Sequence, residues 1–206
     1  MRRALALTLF SLFVIGSAFA GPQEDYNAGR KAYLAGDVVG AMPALRRAAA
    51  AGYAPAQSLY GYILDKAEYS EEAGQYFRRA ADQGDADGQY GLAMLYARGE
   101  GVGRDAAAAR DWLERAGNQG HKLAVVALSQ AFLAGSLGFK ADPADAAGLG
   151  WVRKAADYDS IPALSYLAKG YRSGAFGAAD LAQAERLEAR IVELSPDNYR
   201  RKGKKK

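Results

Sequence analysis

A short phrase recurs along this chain: small residues, a polar pair and a closing residue that ends one helix just before another begins. The closers are Gly52, Gly84, Gly120 and Asp159, spaced 32, 36 and 39 residues apart. Self-similarity at that period marks a helical solenoid, in which no unit buries its apolar face alone and stacked neighbours build the core. The spacing predicts an all-α solenoid of about five antiparallel helix pairs, with units at 24–52, 53–84, 85–120, 121–159 and 160–195. The first unit is the least regular, as expected of a terminal unit with one face in solvent.

Within each unit the first helix carries small or apolar residues four, five and eight positions after an opening small residue. The sets are Ala56, Tyr60, Gly61, Leu64; then Gly88, Leu92, Ala93, Tyr96; then Ala124, Leu128, Ser129, Phe132; then Ala163, Leu167, Ala168, Tyr171. Those offsets share one stripe of a 3.6-residue helix, with the small middle residue admitting the partner helix closely. The second helix repeats Ala41, Leu45, Ala48, Ala49 as Ala73, Phe77, Ala80, Ala81, and again from Ala109 and from Gly148. Trp112 and Trp151 occupy equivalent places 39 residues apart. Buried packing between units explains them better than stacking on a ligand.

The turns carry their own chemistry. Gly99-Glu-Gly-Val-Gly-Arg-Asp105 places glycines where a helix end needs left-handed backbone, and Asp105 where an N-cap accepts orphan N–H bonds. Asp142 before Pro143 predicts a second cap with proline at the first helical position. Asp180 predicts another, and Ser70 caps the shortened loop of the second unit.

These residues resemble the Sel1-like repeat family, a relative of the tetratricopeptide repeat. The family pattern is met most closely between Gly88 and Gly120, in Leu92, Ala93, Tyr96, Gly99, Gly101, Val102, Asp105, Ala109, Trp112, Ala116 and Gly120. The opening segment, Ala28 to Asp37, is closer to a tetratricopeptide helix. The resemblance implies a right-handed superhelix acting as a non-catalytic adaptor for a protein or peptide. Some exported members pair cysteines between helices. This chain has none, so nothing belonging to that subgroup carries across.

The two ends differ from the repeats. Arg2 and Arg3, an apolar run from Ala4 to Gly16 and the Ala18-Phe19-Ala20 site form a secretory signal pattern, with cleavage expected after Ala20. An uncleaved anchor is the alternative. The expected location is the periplasm or the cell exterior. At the other end Arg200, Arg201, Lys202, Lys204, Lys205 and Lys206 form a basic tail. Of 27 basic residues, two lie in the leader and six in this tail, leaving 19 against 23 acidic ones in the body. The net charge of +4 therefore describes the tail and not the repeats. A solvated end is one reading of it, and attraction to an anionic envelope surface the other.

Chemistry is sparse. One histidine and no cysteine make a transition-metal site improbable. His121 reads as a solvent-exposed helix start. The serines sit in no nucleophile elbow, and Gly99-x-Gly-x-Gly is better explained as a turn than as a phosphate loop. Glu71, Glu72, Asp85 and Asp87 fall in first turns, where acidic groups complement the helix dipole. Basic residues are isolated or paired, without the aromatic interleaving of a nucleic-acid stripe. No catalytic residue, cofactor, metal, nucleic acid or small-molecule substrate is expected.

A partner is expected in the groove lined by the first helices, at positions two, six and nine after each opening residue. The candidates are Ser58, Tyr62, Tyr90, Met94, Gln130, Lys169 and Arg172. Tyr62 and Tyr90 either contact a peptide or half-bury against the neighbouring unit. Two other functions remain open: an enzyme acting on an envelope polymer, and a surface binder driven by the tail.

Overall fold

The computed structural model describes residues 21–195, so the leader and the basic tail at 200–206 lie outside the described residues. The described residues form ten α-helices: α1 (Pro22–Leu34), α2 (Val38–Ala50), α3 (Ala54–Lys66), α4 (Ser70–Asp82), α5 (Ala86–Arg98), α6 (Ala106–Asn118), α7 (Lys122–Leu133), α8 (Ala146–Asp157), α9 (Ile161–Ser173) and α10 (Leu181–Leu194). Each odd-numbered helix packs on the even-numbered one that follows. The main contacts that skip an element join first helices: α1 with α3, α3 with α5 and α7 with α9. First helices therefore form the inner, shorter arc of the solenoid, and second helices the outer one.

The closers explain why the helices stop. Gly52, Gly84, Gly120 and Asp159 all adopt positive φ, at +88°, +86°, +83° and +62°. The next residue's N–H then reaches back into the last turn: Tyr53 to the Ala48 carbonyl at 3.1 Å, Asp85 to Ala80 at 3.1 Å, His121 to Ala116 at 3.0 Å and Ser160 to Ala155 at 3.1 Å. This left-handed closure satisfies carbonyls that the helix itself leaves open. The residue before the closer also ties units together: Gln83 donates to the buried Gln57 at 2.8 Å, and Gln119 to the buried Gln89 at 2.8 Å.

The expected core stripes of the first helices are buried except at two of their closing aromatics, Tyr96 and Tyr171, which are half-buried. Ala56, Tyr60 and Leu64, then Leu92 and Ala93, then Ala124, Leu128 and Phe132 lie in two adjoining clusters with Leu45, Phe77, Leu113 and Val152. Trp112 is half-buried and packs against both clusters, and Trp151 is buried. A Cβ on Gly117 would stand 2.9 Å from the Trp151 ring, so glycine there makes room for the indole.

Two caps differ from expectation. Asp145, not Asp142, caps α8, accepting from the Gly148 N–H at 3.0 Å. Asp142 instead accepts from Ala144 at 2.8 Å in a turn outside the helix, so Pro143 is not its first residue. The long loop must first bury Phe139 edge-on against Phe132, which delays the helix. Ser70 is the first residue of α4, preceded by Tyr69 at the cap position, and its Oγ donates to Asp65 at 3.3 Å. Asp105 and Asp180 cap as expected.

Glu68 holds a positive φ of +66° between α3 and α4, where a side chain is strained. Glu68→Gly is expected to raise the unfolding free energy by about 0.5–1 kcal/mol. A urea titration showing no gain, or a loss, would contradict this.

Both terminal pairs are fastened by a forked ion pair. Arg47 donates to Asp25 at 2.6 and 3.1 Å, joining α2 to α1, and Arg190 donates to Asp159 at 2.7 and 2.9 Å, joining α10 to the turn before α9. Hydrogen bonding from these guanidiniums holds both carboxyls below their ordinary range. A depressed folded-state pKa stabilises above the unfolded value and is lost as pH falls through the folded one. Acidification below about pH 4 should therefore lower amide-exchange protection factors in α1 and α10 before those in α4 and α6. A uniform fall along the chain would count against the clamps.

Candidate binding groove

A cavity of about 590 Å³ opens on the inner arc. Its walls come from α1, α3, α5 and the start of α7, with Phe77 of α4 at its floor. Phe77 is reachable only because residue 91 lacks a side chain: a Cβ on Gly91 would stand 2.4 Å from the Phe77 ring. Leu59 and Met94 extend this apolar floor, and Tyr26, Tyr33, Tyr62 and Tyr90 stand around it.

Four of the candidate residues meet here: Ser58, Tyr62, Tyr90 and Met94. Tyr62 is 43% exposed, edge-on to Tyr33 with centroids 6.4 Å apart. Tyr90 is half-buried and stacks on the His121 ring at 4.8 Å. Each tyrosine thus leans on a neighbouring unit while facing the cavity, so the two readings of these residues describe different faces of the same rings. Ser58 is buried, and its Oγ donates to Asp85 at 2.6 Å, which ties α3 to the start of α5. Gln130 on α7 and Lys169 and Arg172 on α9 are exposed and lie outside this cavity. Arg172 is engaged in a two-oxygen ion pair with Glu188 of α10, at 2.8 and 3.0 Å.

His121 is not a free, solvent-exposed helix start. Its side chain is only 13% exposed, its Nδ1 accepts from the Ala124 N–H at 3.1 Å as the cap of α7, and its Nε2 lies 2.9 Å from Asp87. Capping with Nδ1 assigns the ring proton to Nε2, which donates to Asp87. That bond holds the Asp87 carboxyl below its ordinary range. Burial pushes the Tyr26, Tyr33 and Tyr90 hydroxyls above their ordinary, already alkaline, range.

The α1 residues were absent from the sequence expectation, yet the sequence contained their signal. Gly29 packs on Leu45 as Gly61 packs on Phe77, which puts the first unit in the same register. Offsets of two, six and nine from position 24 then fall on Tyr26, Arg30 and Tyr33, all three of which line the cavity.

The arrangement suits binding. The two carboxylates in the wall, Asp65 and Asp87, are engaged by Arg98 at 3.0 and 3.1 Å and by His121. No group of three or more potential metal ligands occurs among the described residues, and no helix among them is long and apolar enough to cross a membrane.

No family model and no curated protein matches the chain in sequence. Solved structures do match. A protective antigen of uropathogenic Escherichia coli displaying an SLR fold superimposes with a TM-score of 0.72 at 27% identity, over 84% of this chain. A Sel1 repeat protein from Oxalobacter formigenes does so with a TM-score of 0.70 at 26% identity, over 82% of this chain and 68% of its own. The structural neighbours of this chain are Sel1-like repeat proteins. The ten helices, packed as sequential pairs, match a Sel1-like solenoid of about five repeats. The chain spans only 38% of the length of the E. coli protein. Sel1-like repeat folds typically serve as protein-interaction scaffolds and are generally non-catalytic.

Proposed function

We propose that this chain is an exported, non-catalytic scaffold that holds a protein or peptide partner in the groove of its Sel1-like solenoid. The observation that carries the proposal is the inner-arc cavity, in which an apolar floor at Phe77 is ringed by tyrosines from three successive first helices. Large aromatic side chains with a polar tip give contact area at low entropic cost and are enriched where proteins bind one another. Export rests on the leader pattern of residues 1–20, and the proposed location is the periplasm or the cell exterior.

The basic tail supplies a competing source of affinity, since its six cations would attract any anionic envelope surface. Crosslinking capture from the source organism's envelope fraction separates the two. With residues 200–206 removed, a groove partner stays bound at high salt. Retention only with the tail, lost as salt rises, would place the binding at the tail and end the groove reading.

A further inference from the structure

Resting on the groove reading above, we infer that the occupant is an acidic peptide segment: an apolar side chain seated on Phe77, flanked by Glu or Asp facing Arg30 and Lys66. Two features of the cavity select that chemistry, one at its floor and one at its mouth.

The floor accepts an apolar group and nothing polar. Ser58 lines the cavity, but its Oγ is already committed to Asp85 at 2.6 Å. Phe77, Leu59 and Met94 offer only carbon and sulfur. An incoming polar side chain would lose water there without gaining a partner, which is costly.

The mouth is positive once its internal pairs are accounted for. Asp65 is held by Arg98, whereas Asp87 accepts from the neutral His121 ring and keeps its charge, so that with Arg30 and Lys66 the mouth retains one net positive charge. Among the described residues, no carboxylate lies within ion-pair distance of Arg30 or Lys66. The Lys66 ammonium sits 5.5 Å from the Tyr62 ring centroid, which positions it beside the groove without neutralising it. The tyrosine hydroxyls, protonated at neutral pH, add hydrogen-bond donors for the same anionic groups. This charge pattern disfavours the chain's own basic tail as the occupant, because like charges would meet at the mouth.

The test uses three short Gly/Ser peptides with a central Phe, flanked by Glu, Gln or Lys, and fluorescence anisotropy with the exported chain. At low salt the Glu peptide should bind about tenfold tighter than the Lys peptide. That preference should vanish in Arg30→Gln/Lys66→Gln, two exposed helical positions where Gln is well tolerated. It should also weaken as salt is raised. Equal binding of all three peptides, or a preference for Lys, overturns the acidic-segment inference and leaves the groove reading standing. So does a preference that survives Arg30→Gln/Lys66→Gln. If no peptide binds, and a partner captured from the envelope is held as tightly by Tyr62→Ala/Tyr90→Ala, the groove reading fails and takes this inference with it.

Discussion

Phe132→Ala is expected to lower the unfolding free energy by about 3–5 kcal/mol, the usual cost of truncating a fully buried aromatic residue. The ring is fully buried and meets Phe139 and Tyr166 edge-on, with centroids at 5.8 and 6.0 Å. The facing residue is Gly148, where a Cβ would stand 2.2 Å from the ring, so truncation leaves a void bordered by backbone. Gln130→Ala, two positions away on the exposed side of the same helix, should change stability by under about 0.5 kcal/mol and serves as the control. Because helical repeat arrays can unfold in stages, amide exchange should accompany the denaturant curve. It should locate the loss in α7 to α9. A loss below about 1 kcal/mol for Phe132→Ala would mean that the aromatic cluster relaxes around the gap and that this seam is not tightly packed.

Tyr62→Ala combined with Tyr90→Ala is expected to weaken partner binding by about 100-fold or more, while the protein stays folded. Truncating a central tyrosine of an interface commonly costs about 2 kcal/mol or more, and each 1.4 kcal/mol is about tenfold in affinity. Tyr62 is 43% exposed and lies outside the buried core, so its loss should affect the fold little. Tyr90 also stacks on His121, and Tyr90→Phe keeps that stack while removing the hydroxyl. Binding that survives in Tyr90→Phe but not in Tyr90→Ala would assign the affinity to the ring. Unchanged affinity in a stably folded double variant would remove the partner from this groove. Calorimetry with the captured partner measures each case.

Much of the architecture was legible because it follows from helical periodicity. The small residues at Gly61 and Ala93, and the large ones at Leu92, Leu128 and Phe132, are buried where a 3.6-residue stripe puts them. Cap positions were less legible when a tertiary requirement intervened. The sequence places a cap at Asp142 before Pro143, and the burial of Phe139 moves it to Asp145. His121 escaped recognition for a related reason. Its partners Asp87 and Tyr90 lie one repeat earlier, and no local pattern reveals a contact across 34 residues. The groove stripe continues through Gln130, Lys169 and Arg172, which lie outside the cavity walled by the first helices of the earlier repeats.

The left-handed closers bear on how such a chain can change over generations. Each of the first four units seals its final carbonyls with backbone bonds to the residue just beyond its own glycine or aspartate, and needs no side chain from elsewhere to end its second helix. A unit gained or lost by gene duplication or deletion therefore arrives with its boundary already made, and only the two flanking contact surfaces must be re-matched. Selection can then vary the length of the inner arc separately from the residues that line it, and the intervals of 32, 36 and 39 residues between closers show that one solenoid accommodates units of different length.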